Sequence, residues 1–467
     1  MVFILRGILA FTNWVWGIPM LIWLVGGGII LTFRLNFIQF RKLGFILKHT
    51  IGKSFSAKGE KNVISGFKAV TGALASTLGA GNIVGTAMAI AYGGPGGVFW
   101  LWLTGLVACA IKYSEVTLAM KYRHKDKHGN WEGGPQYYLS ECTGQKWLGV
   151  AYAISCAFCL FLAASAQVGA GVDNMVALGA PRTITTAVEI IIIAAIVLGG
   201  LKRFLDVSEK VVPLMSVLYI LGGLVVIFMN IQNLPAVLYS IFRYAFTGRA
   251  AFGGFAGATI TMCIRWGVCR GIYSNDAGTG CTTIAHTATD EPNHPVQQGM
   301  WGVFEVFFDT IIVCSITCLS ILCTGVWETD GVPATLTATA FSNSLGSIGG
   351  YLVTVSLVLF TFTTACAQVE FGSSQLKKLL GEKAYFPSKV VYLVVLFAGG
   401  IIGIDALISY VDFGSFLIIF FNMIGVYWCH KQVVELTKEY FADTKKWESE
   451  KWPAWVEEEE KYLNPGK

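Results

Sequence analysis

Charge is scarce in this chain. Asp, Glu, Lys and Arg make up 13% of its 467 residues, about half the roughly 25% of an ordinary soluble domain. A soluble fold of this length cannot clothe its surface with so few charges. Solvated low-complexity sequence is missing as well: 31 Phe, 17 Tyr and 14 Trp exclude intrinsic disorder. No phosphate-cradling P-loop is present, which argues against ATP-driven pumping by this chain alone. No nucleophile, base and metal ligands converge in sequence, which argues against an enzyme. The first apolar stretch is followed by no small-residue cleavage site and reads as a retained anchor. A disulfide framework is not expected either. Most of the 12 cysteines, such as Cys156, Cys159, Cys314, Cys318 and Cys366, lie in apolar stretches where a small apolar side chain packs well. Cys156 and Cys159 have a zinc-like spacing, but no His or second Cys pair follows them.

What is abundant is apolar sequence, 54% of the chain, gathered into stretches of about 20 residues, the length that crosses a bilayer core. The fold class expected is therefore an all-α polytopic membrane protein with eleven transmembrane helices. They fall at about 14–34, 69–92, 96–121, 149–178, 183–200, 211–229, 251–286, 298–324, 351–376, 388–408 and 412–430. The shorter, mixed stretches 233–248 and 333–348 read as interfacial helices or loops.

Base then orients the bundle. If eleven helices alternate, one side carries Arg34, Arg41, Lys42, Lys48, Lys53, Lys58, Lys61 and Lys68. It also carries Lys121, Arg123, Lys125, Lys127 and Lys146, then Lys202, Arg203 and Lys210, then Lys377, Lys378, Lys383 and Lys389. The other side has only Arg6, Arg182, Arg243 and Arg249; the loop 287–297 has no Lys or Arg and follows the majority. The basic side is the cytoplasmic one, with the N-terminus outside and the C-terminus inside a cell (inner, plasma) membrane. The net charge of +5 thus faces anionic lipid and implies no nucleic-acid partner. No obligate protein partner is evident. The tail from Lys431, with Glu457 to Glu460, reads as a short solvated extension.

Two spans should not be continuous helices. The run Ala75 to Gly85 places Gly79, Gly81 and Asn82 in the middle of the second span, where Gly favours helix weakly and Asn competes for backbone groups. The run Arg265 to Gly280 places two Arg, one Asp, one Asn and four Gly in the seventh, a segment too long for one simple span. Charge at membrane depth costs several kcal/mol without a partner or water. Either an ordinary loop joins two half-spans, or a discontinuous helix turns freed carbonyls and helix N-termini toward a central site. With the first span set aside, the broken spans head two groups of five. Five is odd, so the second group enters from the opposite side, which is the arithmetic of an inverted repeat. The division is 1–68 for the first helix and basic loop, 69–229 and 251–430 for the repeats, and 431–467 for the tail. N–H groups at helix starts suit a carboxylate, and freed carbonyls and hydroxyls suit Na⁺.

Other polar residues stand out. Thr364 and Gln368 are four apart on one helix face, next to Thr361 and Thr363, each of which can also bond its own backbone. Gln167 lies among small residues and serves as helix–helix glue or as a ligand contact. Lys112 and Glu115 are spaced to pair. Glu305 or Asp309 can pair with Arg265 or Arg270, or carry a proton during transport. His286 has no second His nearby and reads as a packing or interface residue.

The chain resembles the alanine or glycine:cation symporters, also called sodium–alanine symporters, over about residues 15–430. The resemblance rests on FRLNFIQFR at 33–41, GAGNIVGTAMAIAYGGPGGVFWLW at 79–102, IKYSEVTLAMKYR at 111–123 and GGPQYYL at 133–139. It continues with RGIYSNDAGTG at 270–280, IAHTATDEPNHPVQQG at 284–299 and FFDTIIV at 307–313. It implies a sodium-driven importer of a small neutral amino acid, with the five-plus-five inverted-repeat core of the amino acid–polyamine–cation superfamily. It implies that Gly79, Gly81 and Asn82 contact substrate and ion, and that Gln167 and the region Arg270 to Asn275 frame the pocket. It implies Thr363, Thr364 and Gly79 at the Na⁺ site, with Thr364 also at the substrate. The sequence departs from the pattern where Gln368 replaces a usual Trp, and where Ala80 replaces a usual Thr. An amide for an indole removes an apolar wall and adds a donor and an acceptor. The substrate is then alanine or glycine, or a polar neutral amino acid such as serine or glutamine. A non-accumulating channel and a transporter-like sensor are the rival readings.

Overall fold

The computed structural model describes residues 7, 10–12, 14–54, 64–248, 258–329, 333–403 and 407–463. Arg6, Lys58, Lys61, Arg249, residues 251–257 at the start of the seventh span and 404–406 in the tenth lie outside the described residues. Among the described residues the regular structure is helical apart from one antiparallel strand pair, β1 (His124–Lys125) with β2 (Trp131–Glu132). Among the described residues, seven helices are long and apolar enough to cross a membrane. They are α3 (Gly81–Lys121), α5 (Lys146–Ala177), α7 (Gly200–Met229), α11 (Pro295–Thr324), α13 (Ser347–Leu380), α14 (Tyr385–Ile402) and α15 (Ile408–Ala442). Three apolar helices are shorter: α1 (Ile18–Arg34), α2 (Gly66–Thr77) and α6 (Arg182–Val197). The helix α4 (Pro135–Thr143) follows the β pair.

The α3 segment is two helices joined at a sharp bend. Gly94 takes φ +63°, which only glycine adopts without strain, and Pro95 starts the next helix, where its missing N–H costs nothing. The stretch 233–248 forms α8 (Leu234–Thr247), with Val237, Ile241 and Ala245 buried and Tyr239, Phe242 and Phe246 exposed, an amphipathic face pattern. The stretch 333–348 contains α12 (Leu336–Leu345).

The seventh span is interrupted later than its composition suggests. Helix α9 (Ile260–Asn275) runs through Gly267 and Gly271 without a break, and α10 (Thr283–Thr287) resumes after a non-helical stretch. Arg270 and Asn275 are therefore helical, not unwound. Gly267 is retained for packing: a Cβ there would clash with the Gly97 carbonyl of α3, the helix against which α9 packs most extensively. The chain turns at Asp276, with φ +53°, and continues through Gly278 and Gly280, both at positive φ.

The basic loops meet at one end of the bundle. Lys68 pairs with Asp206, and Lys377 pairs with Glu132 and Glu382. The base-free loop 287–297 joins them, since Asp290 N–H donates to Ile64 O at 2.9 Å. The tail is not a solvated extension. Helix α16 (Pro453–Leu463) folds back over this end, and Trp455, 1% exposed, donates its indole N–H to Met120 O at 3.1 Å. Arg123 is held between the Trp131 and Trp455 rings at 4.0 and 3.9 Å. Three tail tryptophans, Trp447, Trp452 and Trp455, supply apolar area that outweighs the acidic residues between them. Cys142 of α4 and Cys429 of α15 are joined as a disulfide, an exception to the reading of the cysteines as packing residues.

Candidate functional site

The first break lies between α2 and α3, at Leu78 to Ala80. A break inside a bilayer must have its freed backbone groups satisfied by protein or water, and here side chains satisfy three of them. Asn82 Oδ1 accepts from Gly79 N–H at 3.0 Å, and Gln167 Oε1 from α5 accepts from Ala80 N–H at 3.1 Å. Thr364 Oγ1 from α13 donates to Leu78 O at 3.0 Å. Gly79 has no room for a side chain, because a Cβ would stand 2.9 Å from Thr364 Oγ1 and 3.1 Å from the Gln167 amide. Four sequence-derived residues, Gly79, Asn82, Gln167 and Thr364, thus converge on one turn of unwound chain.

The second break, Asp276 to Thr282, is satisfied by heavier partners. Lys112 Nζ donates to Asp276 O and to Thr282 Oγ1, both at 2.9 Å. Gly278 N–H donates to Glu115 Oε1 at 2.9 Å, Asn422 Nδ2 donates to Gly278 O at 2.8 Å, and Tyr152 OH donates to Thr279 O at 2.8 Å. Lys112 stands 3.9 Å from Glu115 and 3.6 Å from Glu305, so the pair expected from spacing is part of a wider buried cluster. His286 belongs to that cluster too: its Nε2 lies 2.9 Å from Glu305 Oε2, and its Nδ1 accepts from Gln298 at 2.8 Å.

A polar bridge connects the two breaks. Asn82 Nδ2 donates to Asp309 Oδ1 at 2.6 Å and to Ser274 Oγ at 2.9 Å. Ser274 Oγ and Thr310 Oγ1 donate to Asp309 Oδ2 at 2.7 and 2.9 Å. The π-helical stretch Phe307–Cys314 of α11 turns Asp309 into this position. The pairing of Asp309 or Glu305 with an arginine does not occur. Arg265 is exposed, the Arg270 guanidinium lies 5.1 Å from the Trp266 ring and 5.9 Å from the Tyr273 ring, and Glu305 is engaged by Lys112 and His286. The Asp309 carboxylate is fully buried, and its hydrogen bonds among the described residues come from neutral donors.

Between the breaks lies a narrow cavity of about 50 Å³, reached by Ser76, Thr77, Gly81, Gln167, Tyr273, Asp276 and Gln368. Gln368 Oε1 is buried there without a hydrogen-bond partner among the described residues. Gly81, Gln167 and Gln368 thus face the cavity, whereas Gly79, Asn82 and Thr364 meet at the adjoining first break and do not line it. Three sequence-derived residues are elsewhere. Arg270 does not line the cavity and stands by the Trp266 and Tyr273 rings. Thr363 Oγ1 turns to Leu359 O and Phe360 O, both at 3.0 Å, and to Met215 of α7. Asn275 donates to Thr310 Oγ1 at 3.2 Å and accepts from Ala277 N–H at 3.0 Å, closing the end of α9. Ser76, Thr77 and Tyr273 were not singled out from sequence. Asp276 was noted only for its charge. One turn before the Gly79 motif, Ser76-Thr77 was the signal available for the first two.

The cavity, with broken helices on two sides and polar groups from α5 and α13, is built to hold a small polar solute. A family model described as the sodium:alanine symporter family matches residues 1–453. The chain is 39% identical over 439 residues to the uncharacterised transporter YflA of Bacillus subtilis (strain 168), covering 92% of each chain. It is 36% identical over 438 residues to the sodium/alanine symporter AgcS of Methanococcus maripaludis, covering 92% of this chain and 95% of that one. Its fold is similar to the crystal structure of MhsT in complex with L-phenylalanine, with a TM-score of 0.56 at 13% identity, over 81% of this chain and 99% of that one. These matches place the protein among secondary transporters, not enzymes, and the chain belongs to the sodium:alanine symporter family.

Proposed function

We propose that the protein is a Na⁺-driven symporter importing a small neutral amino acid, alanine or glycine first, by alternating access. The observation that carries this reading is the pair of broken helices facing each other across one buried polar cavity. The printed name of AgcS, a sodium/alanine symporter, supports the same ion and substrate class. On this reading eleven spans cross the cell membrane, α1 first and then two inverted repeats at 69–229 and 251–430, with the N-terminus outside and the tail in the cytoplasm.

Na⁺, as co-transported cargo, sits where the Thr364 hydroxyl meets the Leu78 carbonyl. The substrate carboxylate takes over the Gly79 and Ala80 N–H groups that Asn82 and Gln167 cap in the structure. Its ammonium group faces the Asp276 side of the second break, and its side chain faces Gln167 and Gln368. Ion and substrate share one turn of backbone, so each raises the affinity of the other by the same factor. A second substrate reading is favoured by the unpartnered Gln368 amide, which suits a polar neutral amino acid such as serine or glutamine.

The test is uptake of labelled alanine into proteoliposomes with an inward Na⁺ gradient, then with K⁺ in its place. Accumulation above equilibrium that needs Na⁺ supports the symporter. Equal uptake in K⁺ overturns the coupling ion, and equilibration without accumulation makes the protein a passive pore. Serine or glutamine outcompeting alanine selects the second substrate reading.

A further inference from the structure

A groove far from the cavity carries a separate conclusion. Helix α1 ends at Arg34, and the chain reverses through Asn36 and Phe37, both at positive φ, into the short turn Ile38–Arg41. This reversal packs beside α15 and leaves a groove of about 190 Å³. Its floor is apolar, with Ile38 and Phe441 among the residues that form it, and its rim is basic, with Arg34, Arg41, Lys42 and Lys438. All four cations are exposed, and none is in an ion pair among the described residues. Lys42 Nζ stands 4.9 Å over the Phe441 ring.

Neither Glu435 nor Glu439 of α15 lines the groove. Lys438 and Phe441 share one helix face, three residues apart. Glu435, three residues before Lys438, and Glu439 both act on Lys121, and Glu439 comes within 3.9 Å of His294. Among the described residues no acid lines the groove, and its rim is positive. Phe33, Phe37 and Phe40 are exposed beside it, at the level where the apolar helix α1 stops. Exposed aromatic rings at the end of an apolar helix mark the membrane–water boundary. An apolar floor at that depth under an unneutralised basic rim matches one ligand chemistry: an acyl chain attached to a phosphate.

We propose that this groove binds one anionic phospholipid, its phosphate held by Arg34, Arg41, Lys42 and Lys438 and an acyl chain lying over Ile38 and Phe441. The lipid ties α1 to α15. On the charge asymmetry of the loops, which also underlies the proposed orientation, it belongs to the cytoplasmic leaflet. The binding test below does not depend on that orientation.

The test uses the full-length protein in a neutral detergent at fixed ionic strength, titrated with dioctanoyl-phosphatidylglycerol and followed by thermal unfolding and by native mass spectrometry. The expected result is saturable stabilisation with one retained lipid, absent with dioctanoyl-phosphatidylcholine. Each of Arg41→Gln and Lys438→Gln should weaken binding about fivefold, and Arg34→Gln/Arg41→Gln/Lys438→Gln together should abolish it. A control triple, Lys202→Gln/Arg203→Gln/Lys210→Gln, should leave it unchanged. Equal stabilisation by phosphatidylcholine overturns the proposal. So does inorganic phosphate competing as well as the lipid, which would make this a free-anion site, or a control triple as damaging as the groove triple, which would mean a diffuse field. If the groove triple does not fold, the two single variants decide the question.

Discussion

Thr364→Ala removes a hydroxyl that reaches Leu78 O across the first break as well as Phe360 O of its own helix, while Thr363→Ala removes one that bonds only within its own helix and to Met215. The resemblance puts both at the Na⁺ site; the geometry separates them. A hydroxyl that ligates an ion is worth a charge-assisted hydrogen bond, about 1.5–3 kcal/mol. That corresponds to roughly a 10- to 150-fold rise in the Na⁺ concentration for half-maximal uptake. The Thr363 hydroxyl shares carbonyls that already accept helical N–H groups, so its loss should change Na⁺ dependence less than about twofold. The assay is initial alanine uptake against Na⁺ concentration in proteoliposomes, normalised to inserted protein, with Thr364→Ser as the variant that keeps the oxygen. A half-saturation for Thr364→Ala within twofold of the parent, or Thr363→Ala moving it just as far, would refute the assignment.

Three further outcomes are expected. Gln368→Trp should refill the cavity wall and weaken competition by serine and glutamine about tenfold relative to alanine, on the scale of a site losing polar partners; an unchanged competition order in an amino-acid panel counts against Gln368 as the selectivity residue. Lys112→Met should destabilise the fold by roughly 3–5 kcal/mol, because it leaves Glu115 and Glu305 buried with their cation gone, and Lys112→Met/Glu305→Gln should recover part of that in thermal unfolding. Folding stability should depend on pH through His124, whose pKa is raised above its usual 6.5 chiefly by the hydrogen bond to Glu141 of α4, with Glu458 of α16 adding to it. The stabilisation is complete below about pH 6.5 and is lost as pH rises through the higher folded-state value, so the thermal-unfolding midpoint should fall over that range, modestly because His124 is partly exposed, and His124→Gln should remove that part of the dependence.

The sequence pattern carried the helical class and the position of the first break, and the family resemblance, not the pattern, implied that Gly79, Asn82, Gln167 and Thr364 belong together. Glycine pairs and isolated amides in an apolar run are local signals, so they are readable in one dimension. Placing the second break was harder, because glycine has two uses in membrane helices. Gly267 permits close approach to α3, whereas Gly278 and Gly280 permit positive φ, and composition does not distinguish them. The partners of Lys112, Glu305 and His286 are set by contacts between helices distant in sequence, which spacing along one helix cannot reveal. The folded tail was hidden for a similar reason. Its mixed charges read as solvated, and only the packing of Trp455 against Arg123 and Trp131 shows otherwise.

The two breaks are held by different chemistry, and that difference bears on which of them can change partners. The first is capped by two neutral amides and a hydroxyl, bonds worth about 1 kcal/mol each net, and any of them can be exchanged for a carboxylate or an ion at little cost. The second is tied by Lys112 and Glu115, whose charges are fully buried, and by Asn422, which bonds to the break and to Glu115 at once. Removing one member leaves an unsatisfied charge, at about 3–5 kcal/mol. A ligand able to supply only a few kcal/mol of differential affinity can therefore rearrange the first break and not the second. On the proposed function, the segment Asp276 to Thr282 is the more strongly tied wall, joined to α3 and α11, and the seam with α5 and α13, crossed by Gln167 and Thr364, is the one that binding would rearrange. Asp309 lies on the side of the tied wall yet bonds to Asn82, next to the exchangeable turn, so it links the two breaks without lining the cavity as Asp276 does.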